Sequence, residues 1–129
     1  MEIDYEKFTY KLDELKNIPQ SPGVYFMKDK DNRLLYIGKS KNLNKRIKSY
    51  FLNSRDRSNK IEIMIKNISH IEIIKTDTEF DALFLECKNI HKLKPMYNTL
   101  LKNYDKYKYI CLDEKDHNII KIKSEIQDD

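Results

Sequence analysis

The chain has 129 residues, 40% of them hydrophobic and 36% charged, with a net charge of +4. That is one domain's worth of chain, with enough apolar content for a single core. No apolar run approaches the roughly 18 residues of a transmembrane helix, and no basic-then-apolar leader opens the chain. Cys87 and Cys111 have neither metal-ligand spacing nor a disulfide framework around them, so a cytoplasmic protein without membrane contact is expected.

Residues 4–17 place Tyr5, Phe8, Leu12 and Leu15 at helical spacing, which predicts an amphipathic helix. The turn Asn17-Ile-Pro-Gln-Ser-Pro22 ends it and feeds a strand. Two short apolar runs then flank the polar signal Lys28-Asp-Lys-Asp-Asn32, the pattern of a β-hairpin. Centring the turn between Lys30 and Asp31 sets Tyr25 opposite Tyr36, Gly23 opposite Gly38, Val24 opposite Ile37 and Phe26 opposite Leu35. Side chains alternate between faces, so Val24, Phe26, Leu35 and Ile37 form a core face. The other face carries two tyrosines and two glycines, paired phenols beside bare backbone, as a ligand site would. A bulge would shift this register.

Asn42 to Phe51 reads as a helix with Leu43, Ile47 and Tyr50 on one side and Ser40 as N-cap. A polar, basic loop follows over Leu52 to Asn59. Ile61, Met64, Ile65 and Ile68 mark a short core-facing helix, and His70 to Thr76 a third strand. Thr76-Asp-Thr-Glu79 reads as a capping box opening a helix over 78–93, with Phe80, Leu83, Phe84, Cys87 and Ile90 as its stripe. Lys92 and Lys94 suit that helix's C-terminus and Pro95 ends it. Tyr107–Leu112 and Ile119–Ile122 suggest a C-terminal hairpin before an acidic tail. The expected fold is a small α/β (α+β) domain, a mostly antiparallel three-stranded sheet flanked by helices.

The modest net charge conceals an asymmetry. Residues 39–60 carry +7 and residues 88–108 carry +5, while residues 1–17 and 113–129 are net acidic. Clustered positive charge points to a polyanion. Lys41, Lys45, Lys48, Arg55 and Arg57 suit contacts to a nucleic-acid backbone, which give affinity without sequence information.

Gly23-Val-Tyr25 followed by Tyr36-Ile-Gly38 resembles the signature of the GIY-YIG nucleases. The ordered set Ser21-Pro-Gly-Val-Tyr25, Tyr36-Ile-Gly-Lys-Ser-Lys-Asn-Leu43, Arg46, Tyr50-Phe51, Thr76-Asp-Thr-Glu79, Ala82-Leu-Phe-Leu-Glu86, Pro95-Met-Tyr-Asn98 and Leu100-Leu-Lys102 narrows the likeness. It is similar to the N-terminal nuclease domain of the bacterial excinuclease subunit UvrC, from about residue 10 to residue 110. Residues 1–112 would form that domain, with 113–129 the rest of the hairpin and the tail. The chain shows no helical interaction region, second nuclease domain or helix-hairpin-helix module, so the resemblance implies an excised domain or a stand-alone relative.

The resemblance also implies a chemistry, with DNA and excision-repair proteins such as UvrB as partners and a cut on the 3′ side of a lesion. One divalent ion, Mg²⁺ or Mn²⁺, would be held by Glu86. That residue is odd on its own terms, since Ala82, Leu83 and Ile90 surround it on the helix. A phenol with a pKa of about 10 is a poor base until positive charge lowers that value, and Lys39 and a metal-bound water are suitable neighbours. Tyr36 is favoured as general base, with Tyr25 orienting water or phosphate. Arg46 shares a helix face with Asn42 and Tyr50 and would clamp the scissile phosphate. Gly38 would let the backbone approach that phosphate, and Asn42 and Asn98 would hold the site together. The alternatives are a non-catalytic DNA-binding module and a stand-alone nuclease outside excision repair.

Overall fold

The computed structural model describes residues 5–52 and 58–101. The expected C-terminal hairpin, the boundary at residue 112, and Arg55 and Arg57 lie outside the described residues. The strands are β1 (Lys7–Lys11), β2 (Gly23–Lys28), β3 (Leu34–Ser40) and β4 (His70–Lys75). The α-helices are α1 (Leu43–Tyr50), α2 (Asn59–Asn67), α3 (Glu79–Leu93) and α4 (Met96–Leu101). The sheet order is β1-β4-β2-β3, antiparallel throughout.

Four strands rather than three is the first correction. The stretch expected as a helix is β1 followed by a 3₁₀ helix, Leu12–Asn17. Phe8 and Tyr10 pair with Ile73 and Ile71, so β1 covers the outer edge of an isoleucine-rich strand that would otherwise be open. That non-local ladder outweighs the helical spacing, which buries little: Phe8 and Leu12 remain 38% and 43% exposed. Lys11 N–H donates to Glu14 Oε1 at 2.9 Å, opening the 3₁₀ turn.

The hairpin register is the second. Tyr25 pairs with Gly38, Phe26 with Ile37 and Met27 with Tyr36, with an irregularity between Met27 and Lys28. Asp29 causes the shift. Its Oδ1 accepts from the N–H groups of Asp31 and Arg33, both at 2.9 Å, and Arg33 Nε donates to Oδ2. Asn32 takes a positive φ of 63° to close the loop, a conformation asparagine tolerates. Asp29 thus moves the turn one residue along the chain. The cross-strand partners of Gly23 to Phe26 move by two, so those side chains keep their expected faces. Leu35 falls at the irregularity and packs with Tyr25 and Tyr36, not with Val24, Phe26 and Ile37 as expected.

The sheet divides the core. Tyr25, Met27, Tyr36, Ile71 and Ile73 pack on one side with Leu43, Ile47 and Tyr50 of α1 and Met64 of α2. Val24, Phe26, Ile37 and Ile74 pack on the other with Ala82, Cys87 and Ile90 of α3. Cys87 is buried as expected but is disulfide-bonded, which the spacing of the two cysteines did not indicate. At Gly23 a Cβ would overlap the Ile74 carbonyl oxygen and lie 2.7 Å from Leu43 Cδ1, so this glycine lets α1 and β4 close on β2.

Two caps differ from expectation. Asn42, not Ser40, caps α1: its Oδ1 accepts from Lys45 N–H at 3.1 Å, while Ser40 Oγ accepts from Asn42 N–H. Thr78, not Thr76, caps α3 by accepting from Asp81 N–H at 3.0 Å, and Thr76 Oγ1 donates to the Thr78 carbonyl. In both places the cap lies two residues further along, where the side chain reaches the first-turn N–H groups.

Candidate active site

Four of the expected residues meet on the α1 side of the sheet. Tyr25 and Tyr36 project from β2 and β3 on the same face, and Tyr50 reaches them from the last turn of α1. Their ring centroids form a triangle with sides of 6.3, 5.9 and 6.3 Å. The Tyr25 and Tyr50 hydroxyls are 2.8 Å apart and hydrogen-bonded. Arg46, one turn before Tyr50, donates from Nη2 to Tyr50 Oη at 3.1 Å and from Nε to Tyr25 Oη at 3.5 Å. Its guanidinium carbon also lies 4.7 Å from the Tyr50 ring centroid, within cation–π range. The rings are buried while Arg46 is half-buried. A cation held against a cluster of phenol oxygens stabilises negative charge on them or on an anion brought alongside.

Gly38 serves this cluster. A Cβ there would overlap Cζ and Oη of Tyr25 and lie 2.8 Å from Cε2. Its bare backbone therefore admits the Tyr25 ring. Asn98 holds the same strand from outside. Its Oδ1 accepts from Ile37 N–H at 2.8 Å and its Nδ2 donates to the Ile37 carbonyl at 2.7 Å. An amide side chain thus stands in for a strand at the open edge of β3, between Tyr36 and Gly38. Asn42 does not share this role, since its Oδ1 caps α1 and its Nδ2 reaches Gln20 at 3.3 Å.

The remaining expected residues lie on the α3 side. Glu86 is fully buried at 0% exposure, with Ala82, Leu83 and Ile90 buried around it on the helix. Lys39 projects from β3 on that side, is itself buried, and pairs with Glu79 Oε2 at 3.8 Å. Glu79 was missed as a functional neighbour because the sequence reads it as a cap residue. The available signal was its position seven residues before Glu86, two turns along one helix face. Edge strand β3 therefore carries both halves: Tyr36 and Gly38 face the phenol–guanidinium cluster, and Ile37 and Lys39 face α3.

The donor set is informative about a metal. Among the described residues no three His, Cys, Asp or Glu side chains gather, which is not the ligand set of a closed zinc site. A single sequestered carboxylate offers hard, acceptor-only oxygens. That fits Mg²⁺, which keeps several waters and takes one or two carboxylates together with substrate phosphate. On the outer face of the chain, Lys41, Lys45 and Lys48 are all exposed, at i, i+4 and i+7 spacing. Among the described residues no helix is long and apolar enough to cross a membrane.

Comparison with known proteins agrees with this geometry. The family model for the UvrC-like GIY-YIG domain matches residues 21–99. The UvrABC system protein C of Clostridium acetobutylicum is 50% identical over 97 residues, 75% of this chain and 16% of that protein. That of Synechococcus sp. strain CC9311 is 50% identical over 98 residues, 76% of this chain and 15% of that protein. The chain thus spans about one sixth of the length of the curated relatives it matches. Among solved structures, the GIY-YIG N-terminal endonuclease domain of UvrC from Thermotoga maritima, bound to its catalytic magnesium, superposes with a TM-score of 0.58. It is 32% identical, over 67% of this chain and 92% of that one. With its α+β architecture, its YIG strand at the sheet edge and a match over most of the described residues, the chain belongs to the UvrC-like GIY-YIG domain family.

Proposed function

We propose that this chain is a magnesium- or manganese-dependent DNA endonuclease domain that makes the UvrC-type incision on the 3′ side of a lesion in nucleotide excision repair. The observation that carries the reading is the buried cluster of Tyr25, Tyr36 and Tyr50 held by Arg46, with Glu86 buried on α3 across edge strand β3. A domain built only for packing has no need of a guanidinium bonded to two phenols or of a buried carboxylate.

Glu86 would hold the divalent ion, which would supply Lewis acidity toward the phosphate and the attacking water. The residues do the rest. Tyr36 Oη, ionised to the phenolate, takes the proton of the attacking water, whose oxygen bonds to phosphorus as the bond to the leaving oxygen breaks. The leaving oxygen departs as an alkoxide and is protonated by solvent. Arg46 has its fork fixed by Tyr50 and Tyr25, so it meets the scissile phosphate already oriented and lowers the cost of ordering. Tyr25 orients the water through its hydroxyl. Lys39, held by Glu79, adds positive charge on the α3 side of β3. Lys41, Lys45 and Lys48, with Arg55 and Arg57, bind the DNA backbone, and UvrB delivers the damaged strand.

The test is nicking of lesion-bearing duplex DNA with Mg²⁺ or Mn²⁺, with and without UvrB. Wild type is expected to cut, and Glu86→Gln and Arg46→Ala to lose cutting. If wild type cuts under neither condition while all three proteins bind DNA equally, the domain is a DNA-binding module and the catalytic reading is wrong.

A further inference from the structure

The second basic cluster of the sequence has no part in the chemistry above. At the end of α3, Lys88 and Lys92 are exposed one turn apart, and Lys94 follows as the helix's C-cap residue. No acidic residue occurs between Glu86 and Asn98. Lys94 sits in the left-handed region, at φ 47° and ψ 60°. Glycine is the usual occupant of such a position, because a Cβ is strained there. Leu93 and Met96, on either side of Lys94, are 48% and 57% exposed. The result is a projecting turn of alternating cationic and apolar side chains.

We infer that the turn Lys92–Met96 is a second contact surface for the backbone of duplex DNA, with Lys92 and Lys94 on phosphates and Leu93 and Met96 against the sugars. Its position supports this. The N-terminus of α3 is fixed at the end of β3 by the Lys39–Glu79 contact. The 15 residues of α3 then carry the chain about 20 Å along the helix axis, at about 1.5 Å per residue. The basic face of α1 begins just past that same end of β3. The two cationic faces therefore flank β3, one on α1 just past its end and one at the far end of α3. Asn98, four residues beyond Lys94, ties this turn to β3 through Ile37. Simple complementation of the helix dipole would explain Lys92. It does not explain a lysine kept where glycine is less strained.

The inference rests on the DNA-cutting reading, and the experiment separates the two. Duplex DNA of about 16 base pairs is titrated by fluorescence anisotropy at several salt concentrations in Ca²⁺, with nicking measured separately in Mg²⁺. Lys94→Gly relieves the backbone and removes the charge. Its melting temperature is expected to rise, while the slope of log affinity against log salt becomes shallower by about 1. Adding Lys92→Ala removes about one more. If Lys94→Gly is stabilised and the salt slope is unchanged in both variants, the turn is an ordinary helix end and the inference is overturned. Failure of DNA binding by the wild type overturns it as well. Shallower slopes with a wild type that binds but does not nick would instead support this surface and refute the nuclease reading.

Discussion

Gly38→Ala isolates the packing that seats the site. Gly38 has no positive φ, so alanine meets no backbone strain and the effect is steric. The new methyl overlaps the outer end of the Tyr25 ring, and that ring is fully buried and bonded to Tyr50 at 2.8 Å, so it cannot swing into solvent. Overpacking of this kind costs about 1–3 kcal/mol, and losing the hydroxyl–hydroxyl bond adds about 0.5–1.5 kcal/mol. The stiffer unfolded chain offsets about 0.4–1 kcal/mol, leaving a net destabilisation of about 2 kcal/mol. At about 2.1 cal/mol/K of unfolding entropy per residue, that is a fall in melting temperature of about 7 °C. Urea unfolding gives the free energy. Adding Tyr25→Leu, which clears the space, should make the two changes strongly non-additive. The reasoning fails if Gly38→Ala keeps wild-type stability and raises only the KM for DNA, because the glycine would then be making room for phosphate rather than for Tyr25.

Asn98→Ala leaves both polar groups of Ile37 without their side-chain partner at a buried strand edge, and should cost about 2–6 kcal/mol at about 1–3 kcal/mol for each stranded group. Hydrogen exchange at Ile37 should rise with it. Tyr50→Phe removes the hydroxyl shared by Tyr25 and Arg46 at a cost of about 1 kcal/mol. Nicking should fall further than stability does, which parallel melting and cleavage curves would show. Backbone and side-chain donors from Arg33 and Asp31 hold the Asp29 carboxyl below its ordinary value of 3.8. A depressed pKa stabilises the fold above the unfolded value, and that contribution is lost as pH falls below 3.8 through the folded one. Acid unfolding followed by hairpin-amide NMR should therefore flatten in Asp29→Asn, which keeps the Oδ1 acceptor.

Most helices were legible because their signals are local. Ile61, Met64, Ile65 and Ile68 mark α2, and Thr76-Asp-Thr-Glu79 with the apolar stripe to Ile90 marks α3, within two residues of its true cap, Thr78. The N-terminal strand was not legible, because Phe8 and Tyr10 are strand residues only by virtue of Ile71 and Ile73, more than sixty residues away. The hairpin faces were readable from alternation except at Leu35, where the irregularity turns the side chain to the tyrosine face. The register depended on which aspartate of Lys28-Asp-Lys-Asp-Asn32 would fold back on the backbone. Strand and helix periods put Tyr25 with Tyr36 and Arg46 with Tyr50, and the resemblance to the GIY-YIG nucleases joined the two pairs. The Asn98 clamp on Ile37, the Lys39–Glu79 contact and the fit of Tyr25 against Gly38 are long-range or steric facts. They leave no trace in spacing.

The Asn98 clamp has a consequence for a chain emerging from the ribosome. All three phenols and the guanidinium are synthesised by residue 50, yet the outer edge of the strand bearing Tyr36 stays open for almost fifty residues more. A nascent or prematurely ended chain that stops short of α4 holds every group of the phenol cluster without the amide that closes its rail. Synthesis order thus withholds a finished phenol–guanidinium cluster until the helix that locks its strand has been made.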